Sequence, residues 1–147
     1  MIRLFDSTGL VKALVRQEHG HKQAASLLEE TASGNLSFAT ARIAALEALS
    51  KIWRVTRDRG ELQKLEHHFD KFAFYELDAD YPLARDLILK TNLKGADAGI
   101  LSVAAGISRR ERIVVQFISA DQDQVRAARY LAKHDRMRVV SLPMGLV

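Results

Sequence analysis

The chain contains no cysteine, which removes a disulfide scaffold, a thiolate zinc site and a cysteine nucleophile together. A reducing compartment agrees with this, and the cytoplasm is the expected location. Proline occurs only twice, at Pro82 and Pro143, and the eight glycines are scattered. With no Pro/Gly/Ser-rich linker and no internal repeat, residues 1–147 read as one continuous domain. Long apolar runs are missing too. The most apolar stretch, Ala96 to Ile107, contains Asp97 and is too short to span a bilayer. The opening Met1-Ile2-Arg3-Leu4-Phe5-Asp6 reaches an acid too early for a signal peptide, so no membrane association is expected. The absence of a glycine-rich phosphate loop argues against nucleotide binding by that route. Acids are the minority charge, 18 against 22 Lys plus Arg, for a net charge of +4. That excess is a weak pointer to a polyanionic partner, and it makes the positions of the few acids the informative question.

What is present suffices for a core. Hydrophobic residues are 48% of 147 and charged residues 27%, which excludes low-hydrophobicity disorder. Strand and helix signals alternate. Ile2 to Phe5 is a short apolar run closed by Asp6-Ser7-Thr8-Gly9, followed by Leu10, Val11, Leu14 and Val15 at helical spacing. A helix is expected around Gln23 to Glu30, closed by Ser33-Gly34-Asn35, and a strand over Leu36 to Ala39. Ala41 to Arg57 reads as a helix with Ile43, Leu46, Leu49 and Trp53 as its core stripe. Glu61 to Lys71 is helical, Phe72 to Leu77 a strand, and Tyr81 to Lys90 a helix with Pro82 in its first turn. The remaining expectations are a buried helix over Ala96 to Ala105, a strand over Arg112 to Ser119, a helix over Gln122 to Lys133 and a strand over Arg138 to Leu142. Strands separated by helices predict an α/β fold with a mostly parallel sheet of four to five strands, covered on both faces. Binding sites in such folds lie beyond the carboxyl ends of the strands.

Four acids fall where such a site belongs. Asp6 follows the first strand and Asp121 the strand ending in Phe117-Ile118-Ser119. Asp97 stands in the first turn of the apolar helix, and Glu47 at the margin of an apolar stripe. Each has an ordinary structural account. Asp6 is a favoured helix N-cap, Asp121 with Gln124 matches a capping box, Asp97 suits a helix N-terminus, and Glu47 suits a surface. Taken singly, those accounts suffice. Taken together, acids converging at one sheet edge repel unless a cation joins them, and oxygen-rich clusters suit Mg2+ or Mn2+.

The same residues carry a resemblance. Leu4-Phe5-Asp6-Ser7-Thr8-Gly9-Leu10-Val11-Lys12 is similar to the opening of PIN-domain proteins of the kind found as VapC toxins in toxin–antitoxin pairs. Ala41-Arg42-Ile43-Ala44-Ala45-Leu46-Glu47-Ala48-Leu49 resembles that family's helix with a single functional glutamate. Leu93-Lys94-Gly95-Ala96-Asp97-Ala98 resembles its Leu-Arg-x-x-Asp-Ala segment, and Phe117-Ile118-Ser119-Ala120-Asp121 its Thr-x-Asp signature. The four blocks stand in family order across nearly the whole chain. Departures leave every acid in place: Ala41 where serine is common, Gly99-Ile100 where Leu-His often follows, and Ser119 for threonine.

The resemblance implies a three-layer α/β/α PIN-like domain and a divalent-metal endoribonuclease. It implies that Asp6, Asp97 and Asp121 hold Mg2+ or Mn2+, with Glu47 completing the catalytic set. It also implies an RNA substrate, a cognate VapB-like antitoxin and a homodimer. A carboxylate pocket needs a basic rim, for which Lys12, Arg16, Lys51, Arg54, Arg57 and the Arg109-Arg110-Glu111-Arg112 run are candidates. The alternative is a catalytically silent PIN-like module binding RNA or protein; Leu14, Leu27 and Leu28 are candidate partner contacts, with core packing as their more usual role. A phosphotransfer receiver would want an acidic pair after the first strand, and a haloacid-dehalogenase-type phosphatase would want Asp-x-Asp there; position 8 is Thr8. His19 and His21, and His67 and His68, diverge in pairs and make a poor zinc site, and Trp53 reads as core.

Overall fold

The structure is a computed structural model that describes residues 1–34, 36–76 and 80–145. Five strands form one all-parallel sheet in the order β3-β2-β1-β4-β5. They are β1 (Ile2–Phe5), β2 (Ser37–Ala41), β3 (Phe72–Tyr75), β4 (Val115–Ser119) and β5 (Met137–Ser141). The helices are α1 (Ser7–Leu14), α2 (His21–Ser33), α3 (Arg42–Thr56), α4 (Arg59–Phe69), α5 (Tyr81–Thr91), α6 (Gly95–Glu111) and α7 (Gln122–Leu131). The predicted Asn35 and Leu77 ends of their elements lie outside the described residues. No helix among the described residues is long and apolar enough to cross a membrane.

Because side chains alternate across a strand, consecutive apolar residues serve two cores. Leu4, Ala39 and Phe117 join the core with α6, while their neighbours Phe5, Phe38 and Ile118 join the one with α1, α2 and Leu65 of α4. This is why the strands read as unbroken apolar runs, and it gives the expected three layers. On the second face Phe38 stacks on Phe72 at 4.7 Å between ring centroids. Leu28 is buried in this core, and the partly buried Leu14 and Leu27 pack against it.

Strand β1 is central, paired with β2 on one side and β4 on the other. Strand order reverses there, and the crevice at such a switch point is where these sheets bind ligands. Gly9 lets α1 approach closely, since a Cβ there would meet the Ile118 carbonyl oxygen at 2.8 Å.

Two expectations about helices need correction. The buried side of α3 is Ala44, Ala45, Ala48 and Ile52; Leu46 is 63% exposed, and Ile43, Leu49 and Trp53 are only partly covered. Small residues let the helix sit closer, so the buried face is marked by alanine and not by the largest side chains. Trp53 carries the Arg57 guanidinium 5.5 Å from its ring centroid. Helix α6 runs on to Glu111, with every residue from Ala98 to Ser108 buried. The expected end at Ala105 falls six residues short; within the helix Ser102 is accommodated by returning its hydroxyl to the Gly99 carbonyl at 2.7 Å.

Candidate active site

Asp6 ends β1 and caps α1. Its Oδ1 accepts hydrogen bonds from the Gly9 amide at 2.8 Å and the Thr8 hydroxyl at 2.7 Å. Its Oδ2 accepts from the Ser119 hydroxyl at 2.5 Å. The same two hydroxyls accept hydrogen bonds from the neighbouring loop: the Ala120 amide donates to Thr8 Oγ1 at 2.8 Å, and the Asp121 amide to Ser119 Oγ at 3.0 Å. The loops leaving β1 and β4 are thus stitched together around one carboxylate, which is 1% exposed. Burial pushes the Asp6 carboxyl up to about 6, against the opposing pull of these hydrogen bonds, and nearby Asp121 adds to the rise.

Asp121 caps α7. Among the described residues its Oδ1 alone is used, accepting from the Asp123 amide at 2.9 Å and the Gln124 amide at 3.3 Å. The predicted capping box does not close. Ser119 already serves the Asp121 amide, so the buried Gln124 side chain turns away and donates Nε2 to the Asp97 carbonyl at 3.3 Å.

Asp97 lies in the first turn of α6 and is half-buried. Burial raises its carboxyl above the usual carboxylate range, Asp121 raises it further, and Gln124 and Lys94 pull it down. Glu47, exposed on α3, is raised by partial burial and then by Asp97. The four acids therefore influence one another in sequence, Asp6 with Asp121, Asp121 with Asp97, and Asp97 with Glu47. Among the described residues, no three His, Cys, Asp or Glu side chains are gathered closely enough to hold an ion as they stand. Three of the acids sit at the positive ends of helices α1, α6 and α7, which offsets part of the cost of crowding carboxylates.

A cleft of about 940 Å3 opens beside them, lined by Thr8, Glu47, Lys51, Arg54, Asp121 and Met144 among others. Neither Asp6 nor Asp97 is in its lining; Asp6 is hydrogen-bonded to Thr8, which is, and Asp97 is reached through Gln124. Lys51 and Arg54 stand at the cleft as candidate rim residues; the other basic candidates divide. Lys12 also borders the cleft, but it is 5% exposed, paired with Glu18 at 3.0 Å and donating to the Gly145 carbonyl at 2.9 Å, so its charge is engaged within the protein. Arg16 lies past the end of α1. Arg109 grips Asp135 through two bonds, at 2.7 and 3.2 Å, and Arg110 pairs with Asp80 at 3.0 Å. They close the last turn of the helix that carries Asp97 in its first, about 18 Å away along the axis at the usual rise. Asp123 is exposed and pairs with Arg126.

Sequence reasoning missed Gln124 as a neighbour of Asp97. The signal was there in Ser119, whose hydroxyl is placed to take over the amide that a capping box would serve.

No family model and no curated protein matches the sequence. Solved structures do. VapBC2 from Rickettsia felis, crystallised with a DNA fragment from its promoter, matches over 97% of this chain and 99% of its own at a TM-score of 0.64 and 15% identity. The chain has a VapC-like PIN fold. A toxin–antitoxin complex from Klebsiella pneumoniae matches over 82% of this chain and 87% of its own, with a TM-score of 0.57 and 20% identity. PAE2754 from Pyrobaculum aerophilum matches over 90% and 88%, with a TM-score of 0.56 and 14% identity. In this PIN fold the loops after β1 and β4 supply Asp6 and Asp121, and α6 brings Asp97 to the same edge.

Proposed function

We propose that the chain is a divalent-metal-dependent endoribonuclease, the toxin of a toxin–antitoxin pair. The observation that carries this reading is the placement of Asp6, Asp97 and Asp121 at the N-termini of three helices along one edge of the sheet, with Asp121 and Glu47 lining the adjoining cleft. Asp6, Asp97 and Asp121 would hold Mg2+ or Mn2+. The donor set fits such an ion: all the candidates are hard oxygen ligands, and Asp121 Oδ2 is not used in capping among the described residues. A closed protein cage is not required, because Mg2+ usually keeps several waters and takes one or two carboxylates.

An ion held by Asp6, Asp97 and Asp121 would supply Lewis acidity and lower the pKa of a water for attack on a phosphodiester. The chain's own residues do the rest. Thr8 and Ser119 fix the orientation of the Asp6 carboxylate. Glu47, facing the cleft with a raised proton affinity, accepts a proton on its carboxylate from the attacking water. Lys51 and Arg54 hold RNA phosphates that the acids alone would repel. The same reading assigns a cognate VapB-like antitoxin, a homodimeric state and a cytoplasmic location; the likeness to toxin–antitoxin complexes supports the first of these.

The test is RNA cleavage by folded Asp6→Asn and Asp97→Asn proteins in Mg2+ or Mn2+. Each variant is expected to lose at least about a hundredfold in rate, as removal of a group central to charge stabilisation does. Cleavage at the parent's rate ends the nuclease reading. A parent protein with no metal-dependent cleavage would establish a silent PIN-like module instead.

A further inference from the structure

Gln124 is 1% exposed, at the third position of α7. Its Oε1 is the one buried side-chain polar atom among the described residues with no hydrogen-bond partner. The orientation is dictated by its other end, since Nε2 meets an acceptor, the Asp97 carbonyl, at 3.3 Å and the reversed amide would set two oxygens against each other. A glutamine in this position ordinarily returns to the N-cap amide. Here Ser119 Oγ holds that amide, which frees Gln124 to reach across to α6. The outcome is a side-chain tie between the two helix N-termini that carry Asp97 and Asp121, kept at the cost of an unpaired buried carbonyl. An apolar side chain of the same length would avoid that cost. A polar group that lowers stability but bridges two functional acids is the signature of a residue retained for geometry.

We propose that Gln124 is a positioning residue, holding Asp97 against Asp121 so that the two carboxylates meet a divalent cation together. This rests on the metal-nuclease reading above. It acts through Asp97, not by touching the cation.

The test measures Mn2+ affinity by calorimetry and metal-free melting in chelator, for the parent and for Gln124→Met. Methionine keeps the length and removes both polar ends. The expected result is affinity weaker by about 10–100-fold, the usual loss when a residue supporting a metal ligand is removed. Metal-free melting should stay at or above the parent's, because the orphaned carbonyl is gone. Affinity within threefold of the parent overturns the proposal whatever the melting temperature does, and a lowered melting temperature then marks the contact as merely structural. If the methionine protein does not fold, Gln124→Ala, which opens space instead of filling it, is read by the same affinity criterion. A parent without Mn2+ affinity overturns the metal reading and this inference together; a parent that binds, with variants that bind as well, overturns this inference alone.

Discussion

Asp6 concentrates the conflict between stability and chemistry in one side chain. Its carboxyl is raised from 3.8 to about 6 on folding, chiefly by burial. A raised acid favours the protonated native state. The native protein therefore holds more protons than the unfolded chain between these two values, and stability falls as pH rises through that window. Below about 4 the group costs nothing; above about 6 the full cost is present, about 3 kcal/mol for a shift of this size. Asp6→Asn keeps an acceptor for Gly9 and Thr8 and carries no charge. In chelator, urea unfolding should show the variant more stable than the parent at pH 7 by up to about 3 kcal/mol, with the difference shrinking toward pH 4. Equal stability at both pH values would mean that the Asp6 carboxylate is not strained by its burial.

At the level of elements, α3 shows how packing overrides a periodicity argument. Ala44 and Ala48 are fully buried while Leu46 is 63% exposed at the cleft. Leu46→Lys exchanges one good helix former for another at a solvated position and should change unfolding free energy by less than about 0.5 kcal/mol. Ala48→Leu forces three extra carbons against Ile52 and its neighbours and should cost about 1–3 kcal/mol by overpacking. Denaturant titration of the two variants distinguishes the faces directly. Most boundaries expected from sequence lie within two or three residues of the observed elements, and β1 coincides with its expectation from Ile2 to Phe5. The large miss is the end of α6, where the buried face runs on past Ala105 through Gly106, Ile107 and Ser108, and Ser108 accepts from the distant Arg136 amide.

Across the whole molecule, charge is divided by the two edges of the sheet. The acids gather at the carboxyl edge with Lys51 and Arg54, while Arg109 and Arg110 are tied to Asp135 and Asp80 at the far end of α6. RNA binding to the uncleaving Asp6→Asn protein should therefore depend on the first pair alone. Replacing Lys51 and Arg54 together with glutamine should lower affinity and reduce the slope of log affinity against log salt by about 1.4, at about 0.7 for each phosphate left without its cation. The Arg109→Gln and Arg110→Gln proteins should keep the parent's slope. Equal slopes in filter binding for all variants would remove the cleft as the RNA path.

The order of strands and helices and the parallel sheet with two covered faces were legible in the sequence, because period and punctuation are local properties. Tertiary structure decided what depends on distant partners. Lys12 is buried because Glu18 and the Gly145 carbonyl meet it from other parts of the chain. Gln124 leaves its cap because Ser119 arrives from β4 to serve the Asp121 amide. Spacing along a chain records which residues can share an element; only the packed sheet determines which of them share a carboxylate, a cation or a proton.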